Sequence, residues 1–147
     1  MSAEHTSTIV VGNDGSRSST EALEFALELA EKLGADLVVI RAWTVDTAPR
    51  GALVDHGYVA SFDEVSAKVR DKLEESTRAL AARHPAVTVD YRGVLGHPAA
   101  VLMEASAESL MLVIGSRGRG GFSSLLLGSV SEQCVRHATC PVLVVRR

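Results

Sequence analysis

The sequence predicts an α/β fold: an open, doubly wound sheet of five parallel strands, with helices on both faces and strand order 3-2-1-4-5. Three observations carry this expectation. Short β-branched or continuously apolar runs recur at 8–12, 37–43, 87–91, 110–115 and 142–145. Segments with apolar residues at helical spacing separate them. The first of these segments is joined to the second strand by a short connection, which makes a β-α-β unit with a right-handed crossover.

The first strand, Thr8-Ile9-Val10-Val11-Gly12, gives way to the polar turn Asn13-Asp14-Gly15-Ser16. Ser18 and Glu21 stand at the capping-box spacing. Ala22, Leu23, Ala26, Leu27, Ala30 and Leu33 then share one helical face, and Gly34 supplies the stop. The second strand reads from Leu37 through Trp43. Between 44 and 60 the periodicity lapses at Pro49, Gly51 and Gly57, which predicts a surface loop or lid rather than a domain boundary. Ser61 and Glu64 repeat the capping-box spacing ahead of a long helix, whose inner face reads Val65, Val69, Leu73, Ser76 and Leu80. The charges on that helix form a solvated outer face. Val87-Thr88-Val89-Asp90-Tyr91 alternates as a strand, and Gly96-His97-Pro98 opens a third helix with Val101, Leu102 and Ala105 turned inward. The run at 110–115 is apolar enough for a central strand; a last helix over 129–137 and the closing strand complete the chain.

A length of 147 residues predicts one domain, 1–147, that can bury a core without disulfide or metal staples. The net charge of -3 argues against a broadly basic nucleic-acid surface. No apolar run approaches the ~20 residues of a membrane span, and the first residues lack a signal-peptide pattern. The expectation is a cytoplasmic protein with neither nucleic acid nor membrane as a partner. Cys134 and Cys140 match neither a CxxC redox motif nor a zinc ribbon and read as small reduced thiols.

The chemistry concentrates in Gly115-Ser116-Arg117-Gly118-Arg119-Gly120-Gly121, which leaves the fourth strand, and in Gly128-Ser129-Val130-Ser131, which starts the last helix. Glycines at a strand's carboxyl end let the backbone turn and let a ligand approach with no Cβ in the way, while a helix start offers unpaired N–H groups to an anion. Together they predict a phosphate cradle. No lysine follows Gly128, so the loop is not a Walker A motif, and GxGxxG is absent from its usual place after the first strand. Charge compensation falls to backbone N–H groups, to the hydroxyls of Ser129 and Ser131, and to a divalent cation. Arg117 and Arg119 either join the phosphates or face solvent. The first and fourth strands flank the switch point of such a sheet, which brings Asp14 and Gly115 to one crevice; the alternative for Asp14 is a turn-forming residue ahead of Gly15. His97, just before a helix-starting proline, reads as a loop residue and not as a catalytic base.

The spacing G-x2-G-x9-G-S, present as Gly115, Gly118, Gly128 and Ser129, resembles the ATP-binding signature of universal stress proteins. Val10-Val11-Gly12-Asn13-Asp14-Gly15-Ser16 and Cys140-Pro141-Val142-Leu143-Val144-Val145 are similar to that family too, and only 44–60 escapes a residue-by-residue match. The resemblance implies a Rossmann-like fold that takes ATP and Mg²⁺. It places Asp14 beside the ribose and phosphates and the backbone near Ala42 at the adenine edge. It gives the phosphates to Gly115, Gly118, Gly128, Ser129, Val130 and Ser131, with Arg117 counted among the binding residues. Asn13 departs from the family's common pattern and adds a side-chain amide near the site. A homodimer through the last strand is expected, because Val142-Leu143-Val144-Val145 is apolar on both faces yet belongs at a sheet edge.

Two function classes fit these residues. One is a nucleotide-dependent regulatory module of the stress response, with hydrolysis slow or absent; a cradle without a visible catalytic base favours it. The other is a slow ATPase or phosphotransferase of the same fold, drawing on Asp14 and on Arg117 or Arg119. The sequence assigns no catalytic residue.

Overall fold

The computed structural model describes residues 7–118 and 126–146. Arg119, Gly120 and Gly121 of the glycine-rich loop lie outside the described residues. In chain order the elements are β1 (Thr8–Gly12), α1 (Arg17–Leu33), β2 (Asp36–Trp43), the short β3 (Val54–Asp55) and β4 (Tyr58–Val59), α2 (Phe62–Ala81), β5 (Val89–Leu95), α3 (Pro98–Ser106), β6 (Met111–Gly115), α4 (Ser129–His137) and β7 (Val142–Val145). The main sheet has five parallel strands in the order β5-β2-β1-β6-β7. Counting only its own strands, that is the order 3-2-1-4-5.

Strand alternation sorts side chains to two faces. Ile9 and Val11 join Ala22, Leu23 and Leu27 of α1 and Leu73 of α2 in one core. Val10, Val38 and Ile40 meet Val101 and Leu102 of α3 and Cys134 of α4 in the other. Each leucine, isoleucine or valine buried in these layers contributes about 1.5–3 kcal/mol relative to exposure. Both faces of the sheet are therefore covered, which explains why the central runs are apolar without alternation.

The start of α1 differs from the expected capping box. Ser16 is the N-cap, with φ -73° and ψ 161°, and its hydroxyl accepts the backbone N–H of Ser19 at 3.2 Å. Ser18 is already helical; its Oγ accepts the N–H of Arg117 at 3.2 Å and ties α1 to the loop leaving β6. Gly34 ends the helix at φ 63°, a left-handed conformation that glycine adopts without penalty, while Leu33, expected inward, is exposed.

The stretch 44–60 is more ordered than a plain loop. It forms an antiparallel hairpin, Val54 opposite Val59 and Asp55 opposite Tyr58, turning through His56 at φ 48° and Gly57 at φ 81°. Ala52 and Ala60, at its two ends, are buried with Trp43, Val65 and Val69. Ser61 caps α2 as the spacing predicts, accepting the Glu64 N–H at 3.2 Å. Thr77, not Ser76, completes the buried face of that helix, because its hydroxyl returns to the Leu73 carbonyl at 2.7 Å. In α3, Ser106 is buried where Ala105 was expected, its Oγ bonded to the Leu102 carbonyl at 2.6 Å.

The third strand of the sheet runs later than the alternation at 87–91 suggests. It spans Val89–Leu95 and includes Gly93, which interrupts the sequence pattern for a packing reason. A Cβ on Gly93 would collide with the Ser66 carbonyl oxygen and stand 2.9 Å from the Arg70 nitrogen. The backbone of α2 lies directly on the strand there.

Candidate functional site

Beyond the last paired residues of β1 and β6 the chain turns away to opposite faces, toward α1 from one strand and toward α4 from the other. This is the switch point of the sheet. A cavity of about 730 Å³ opens there. Its size suits a small-molecule ligand.

Gly12, Ile40, Ala42, Pro98, Leu102 and Val130 line the cavity on the α3/α4 side, and Asn13, Ser19, Arg41, Trp43, Val69 and Lys72 line it on the α1/α2 side. The division follows from alternation: a Cβ on Gly12 would meet Leu102 of α3 at 2.8 Å, so Asn13, the next residue, turns the other way. Along β2, Ile40 and Ala42 belong to the α3/α4 core while Val39 and Trp43 face the α1/α2 side, which puts Arg41 with Asn13.

The structure brings together Asp14, Ala42, Gly115, Arg117, Gly118, Ser129, Val130 and Ser131 on the wall of this one cavity. Asp14 Oδ1 accepts the Ser16 N–H at 2.9 Å, an Asx turn, and its Oδ2 stands 3.0 Å from where a Cβ of Gly118 would be. The turn and the crevice are thus the same place. Pairing between β1 and β2 ends at Gly12 opposite Ile40, with Asn13 N–H donating to the Ile40 carbonyl at 2.9 Å. The backbone edge of Ala42 that faces β1 is therefore left outside the ladder.

Gly115 has two neighbours to satisfy. One side lines the cavity; on the other, a Cβ would run into the Ser18 hydroxyl and stand 2.7 Å from the Ser18 carbonyl oxygen. Gly128 differs from its companions in not lining the cavity. It is the N-cap of α4 at φ -75° and ψ 172°, its N–H donates to the Ser116 carbonyl at 2.7 Å, and a Cβ would touch Arg117 Cα at 3.4 Å and Gly118 N at 3.5 Å. These are ordinary van der Waals distances and its backbone is ordinary extended chain, so a Cβ alone would fit at Gly128 without displacing either backbone segment.

The N–H groups of the first turn of α4, Ser129, Val130 and Ser131, precede the first intrahelical donor, Glu132 N–H to the Gly128 carbonyl at 2.9 Å, and are left over at the helix start. The expected hydroxyl donors divide. Ser129 is exposed on the cavity wall, whereas Ser131 is buried and its Oγ donates to the Ser116 carbonyl at 3.1 Å or the Gly128 carbonyl at 3.0 Å. The Ser131 hydroxyl proton is committed to holding α4 on β6, which leaves its backbone N–H for a ligand. Cys134, one turn on, is buried; that burial, with Cys140 adding to it, pushes its thiol up from the ordinary range and keeps it protonated.

Charge on the wall is unbalanced. Among the described residues, Arg41, Lys72 and Arg117 line the cavity against one carboxylate, Asp14, in a chain whose net charge is -3. Arg41 is held by two bonds to Asn13, Nε to the carbonyl oxygen at 3.0 Å and Nη2 to Oδ1 at 2.7 Å. Asn13 Oδ1 also accepts the Gly15 N–H at 3.0 Å, but its Nδ2 is buried without a partner. Such an orphaned donor costs about 1–3 kcal/mol and clusters at functional places. Sequence reasoning missed Arg41 and Lys72. The signal for Arg41 was present, since it is the sole charge inside the apolar run Leu37-Val38-Val39-Ile40-Arg41-Ala42-Trp43. Lys72 had none, being one of many charges on an amphipathic helix. His97 is the N-cap of α3 with no side-chain cap bond, outside the cavity wall.

Comparison with known proteins gives these features a family. A universal stress protein of Mycolicibacterium smegmatis is 36% identical over 140 residues, which is 94% of this chain and 45% of the relative. One from Mycobacterium tuberculosis is 33% identical over 138 residues, 94% of this chain and 44% of the relative. The chain thus spans about half the length of these relatives. Among solved structures, a universal stress protein in complex with cAMP is 29% identical, with a TM-score of 0.69 over 96% of this chain and 97% of that one. The model of the universal stress protein family matches residues 5–146, and the chain belongs to that family.

Proposed function

We propose that this chain is a nucleotide-dependent regulatory module of the stress response that holds ATP with Mg²⁺ in the cavity at the carboxyl edge of its sheet. The observation that carries the reading is convergence. Asp14, Gly115, Gly118 and the free N–H groups of the α4 start meet at one opening whose wall carries more cations than carboxylates. A relative of the same family and fold, 29% identical, is known in complex with cAMP, which supports an adenine nucleotide as the ligand class. In this reading the open backbone edge of Ala42 meets the base, Asp14 lies beside the ribose and phosphates, and Gly118 with Ser129, Val130 and Ser131 receives the phosphate oxygens. Gly115 lets the exit of β6 lie close against α1, and the Gly128 N–H, donating to the Ser116 carbonyl at 2.7 Å, ties the helix start to that exit.

Among the described residues no group of three or more His, Cys, Asp or Glu side chains is arranged to hold a metal. The one carboxylate of the wall, with ligand phosphates completing the shell, is the donor set Mg²⁺ commonly accepts. Asp14 is the residue that would hold it, and the ion would supply neutralisation of phosphate charge.

The chain acts in the cytoplasm as one domain over 1–147; no helix among the described residues is long and apolar enough to cross a membrane. It pairs with a second copy through β7, the edge strand whose one ladder partner is β6. The alternative, slow ATP hydrolysis or phosphoryl transfer, draws support from the Asp14 carboxylate beside Gly118, where it could orient a water.

Calorimetric titration with Mg-ATP, AMP and cAMP tests the reading. Asp14→Ala should weaken Mg-ATP binding with the fold intact, and unchanged affinity would return Asp14 to its turn role alone. Phosphate release from ATP that is equal in wild type and in Asp14→Ala would remove the enzymatic alternative.

A further inference from the structure

The cavity does not stop at the cradle. It continues across the carboxyl edge of the sheet to the α1/α2 face, where Arg41 and Lys72 stand on its wall together with Asn13 and Ser19. The phosphate cradle and its helix start lie on the opposite face, with α3 and α4.

Three observations give this second lobe a charge preference. Arg41 is oriented in advance, because two hydrogen bonds to Asn13, at 3.0 and 2.7 Å, fix the plane of its guanidinium. Lys72 lies one helical turn from Val69, which also lines the cavity, and it has no carboxylate partner among the described residues. Asn13 is 3% exposed, and its amide Nδ2 is the one buried side-chain polar atom left without a partner among the described residues. Arg41, Lys72 and Asn13 thus share the α1/α2 part of the wall, and among the described residues no carboxylate of the wall lies on that face beyond the Asp14 turn.

We infer that the Arg41–Lys72 lobe is a subsite for a phosphoryl group additional to those at the start of α4. The inference rests on the cavity taking a nucleotide, and it adds the chemistry of a second anionic group on the other side of the sheet edge. With its Nε/Nη2 edge bonded to Asn13, Arg41 presents the Nη1/Nη2 end of its guanidinium to phosphate oxygens, Lys72 supplies a mobile point charge, and Asn13 positions the arginine. The group is carried either by the nucleotide itself, as a phosphate away from its 5′ chain, or by a separate phosphate ion.

The experiment is a calorimetric titration of the whole chain with 5′-AMP, with adenosine 3′,5′-bisphosphate, and with inorganic phosphate in the absence and presence of saturating 5′-AMP. Wild type is compared with Lys72→Gln, an exposed position that leaves the core untouched, and with Arg41→Gln. If the nucleotide carries the group, the bisphosphate binds wild type more tightly than 5′-AMP by about tenfold, the scale of one charge-assisted hydrogen bond, and Lys72→Gln loses that margin while binding 5′-AMP as before. If a separate ion carries it, the bisphosphate has no advantage but inorganic phosphate binds wild type and is lost in Lys72→Gln. The proposal is overturned if neither the bisphosphate margin nor phosphate binding changes in Lys72→Gln and in an Arg41→Gln protein that melts like wild type. Failure of the nucleotide reading looks different: 5′-AMP and Mg-ATP then bind none of the three proteins.

Discussion

Ser18 Oγ accepts the backbone N–H of Arg117 at 3.2 Å, and the same residue's carbonyl oxygen stands 2.7 Å from where Gly115 would carry a Cβ. The first turn of α1 is thereby fastened against the exit of β6. Gly115→Ala should destabilise the protein by about 1–3 kcal/mol in urea denaturation, since backbone as well as side chain must move. Adding Ser18→Ala relieves the clash with the hydroxyl but not that with the carbonyl. A double variant restored to wild-type stability would show that the side chain was the whole obstacle.

Gly128 and Ser129 separate steric from hydrogen-bonding contributions. A ligand present at ~100 times its dissociation constant stabilises a native protein by about 2.7 kcal/mol, which at this length raises the melting temperature by several degrees. Valine at position 128 sets its Cβ in ordinary contact with the Arg117 and Gly118 backbone and adds two methyls beside the helix start; it should abolish the Mg-ATP shift, whereas Ser129→Ala removes one hydroxyl and should retain most of it. Because φ at Gly128 is -75°, the valine itself imposes no backbone strain, and its ligand-free melting temperature should stay near wild type. A well-folded Gly128→Val protein with the full shift would place the nucleotide elsewhere.

The hydroxyl of Tyr58 donates to Glu64 Oε1 at 2.8 Å, joining the hairpin to the first turn of α2. That bond is the largest influence on the Glu64 carboxyl; with the Ser61 hydrogen bonds and Lys68 it outweighs the opposing desolvation, next in size, and holds the group below the usual glutamate range. A carboxyl depressed on folding contributes stability above its unfolded pKa and loses it as pH falls through the folded value. The hairpin should therefore loosen in mild acid. In Tyr58→Phe the Glu64 titration followed by NMR should move up toward the ordinary range; an unmoved midpoint would mean that the hydroxyl does not govern it.

Leu112 N–H donates to the Pro141 carbonyl at 2.9 Å and Ser116 N–H to the Val145 carbonyl at 3.1 Å. By the alternation of a parallel ladder, the N–H and C=O groups of Val142 and Val144 face the open edge. Light scattering at micromolar concentration should give a dimer. Val144→Pro, which removes an outward N–H and no ladder bond to β6, should give a monomer. Val144→Lys is the poorer test, because Val144 also packs against the α3/α4 core. A monomeric wild type excludes the β7 interface outright.

Periodicity made the main sheet legible, because burial on both faces leaves apolar runs that loops do not imitate. It was blind where a residue serves backbone proximity: the alternation stopped at Tyr91, and Gly93, inside the strand, is the seat of α2. It also misjudged short polar segments, since Ser16 and Ser18 are equally good caps on paper and only the fold decides which is left to bond Arg117. At the candidate site the glycine and serine positions were readable from their place between strand and helix. Arg41 and Lys72 were not, for their meeting depends on β2 outrunning β1 and on where α2 crosses it, which no local spacing records.

Trp43, the sole tryptophan of the chain, is 2% exposed, bonded through Nε1 to Ser66 Oγ at 2.8 Å, and set edge-on to Phe62 with ring centroids 6.0 Å apart. It also forms part of the cavity wall. The molecule consequently carries its own optical reporter: intrinsic emission arises from one fluorophore, rigid and shielded from water, standing where a ligand would arrive. Occupancy of the cavity and loosening of the hairpin whose ends pack on Trp43 both become readable in unlabelled protein, one as a change in quenching at constant fold and the other as a red shift when water reaches the indole.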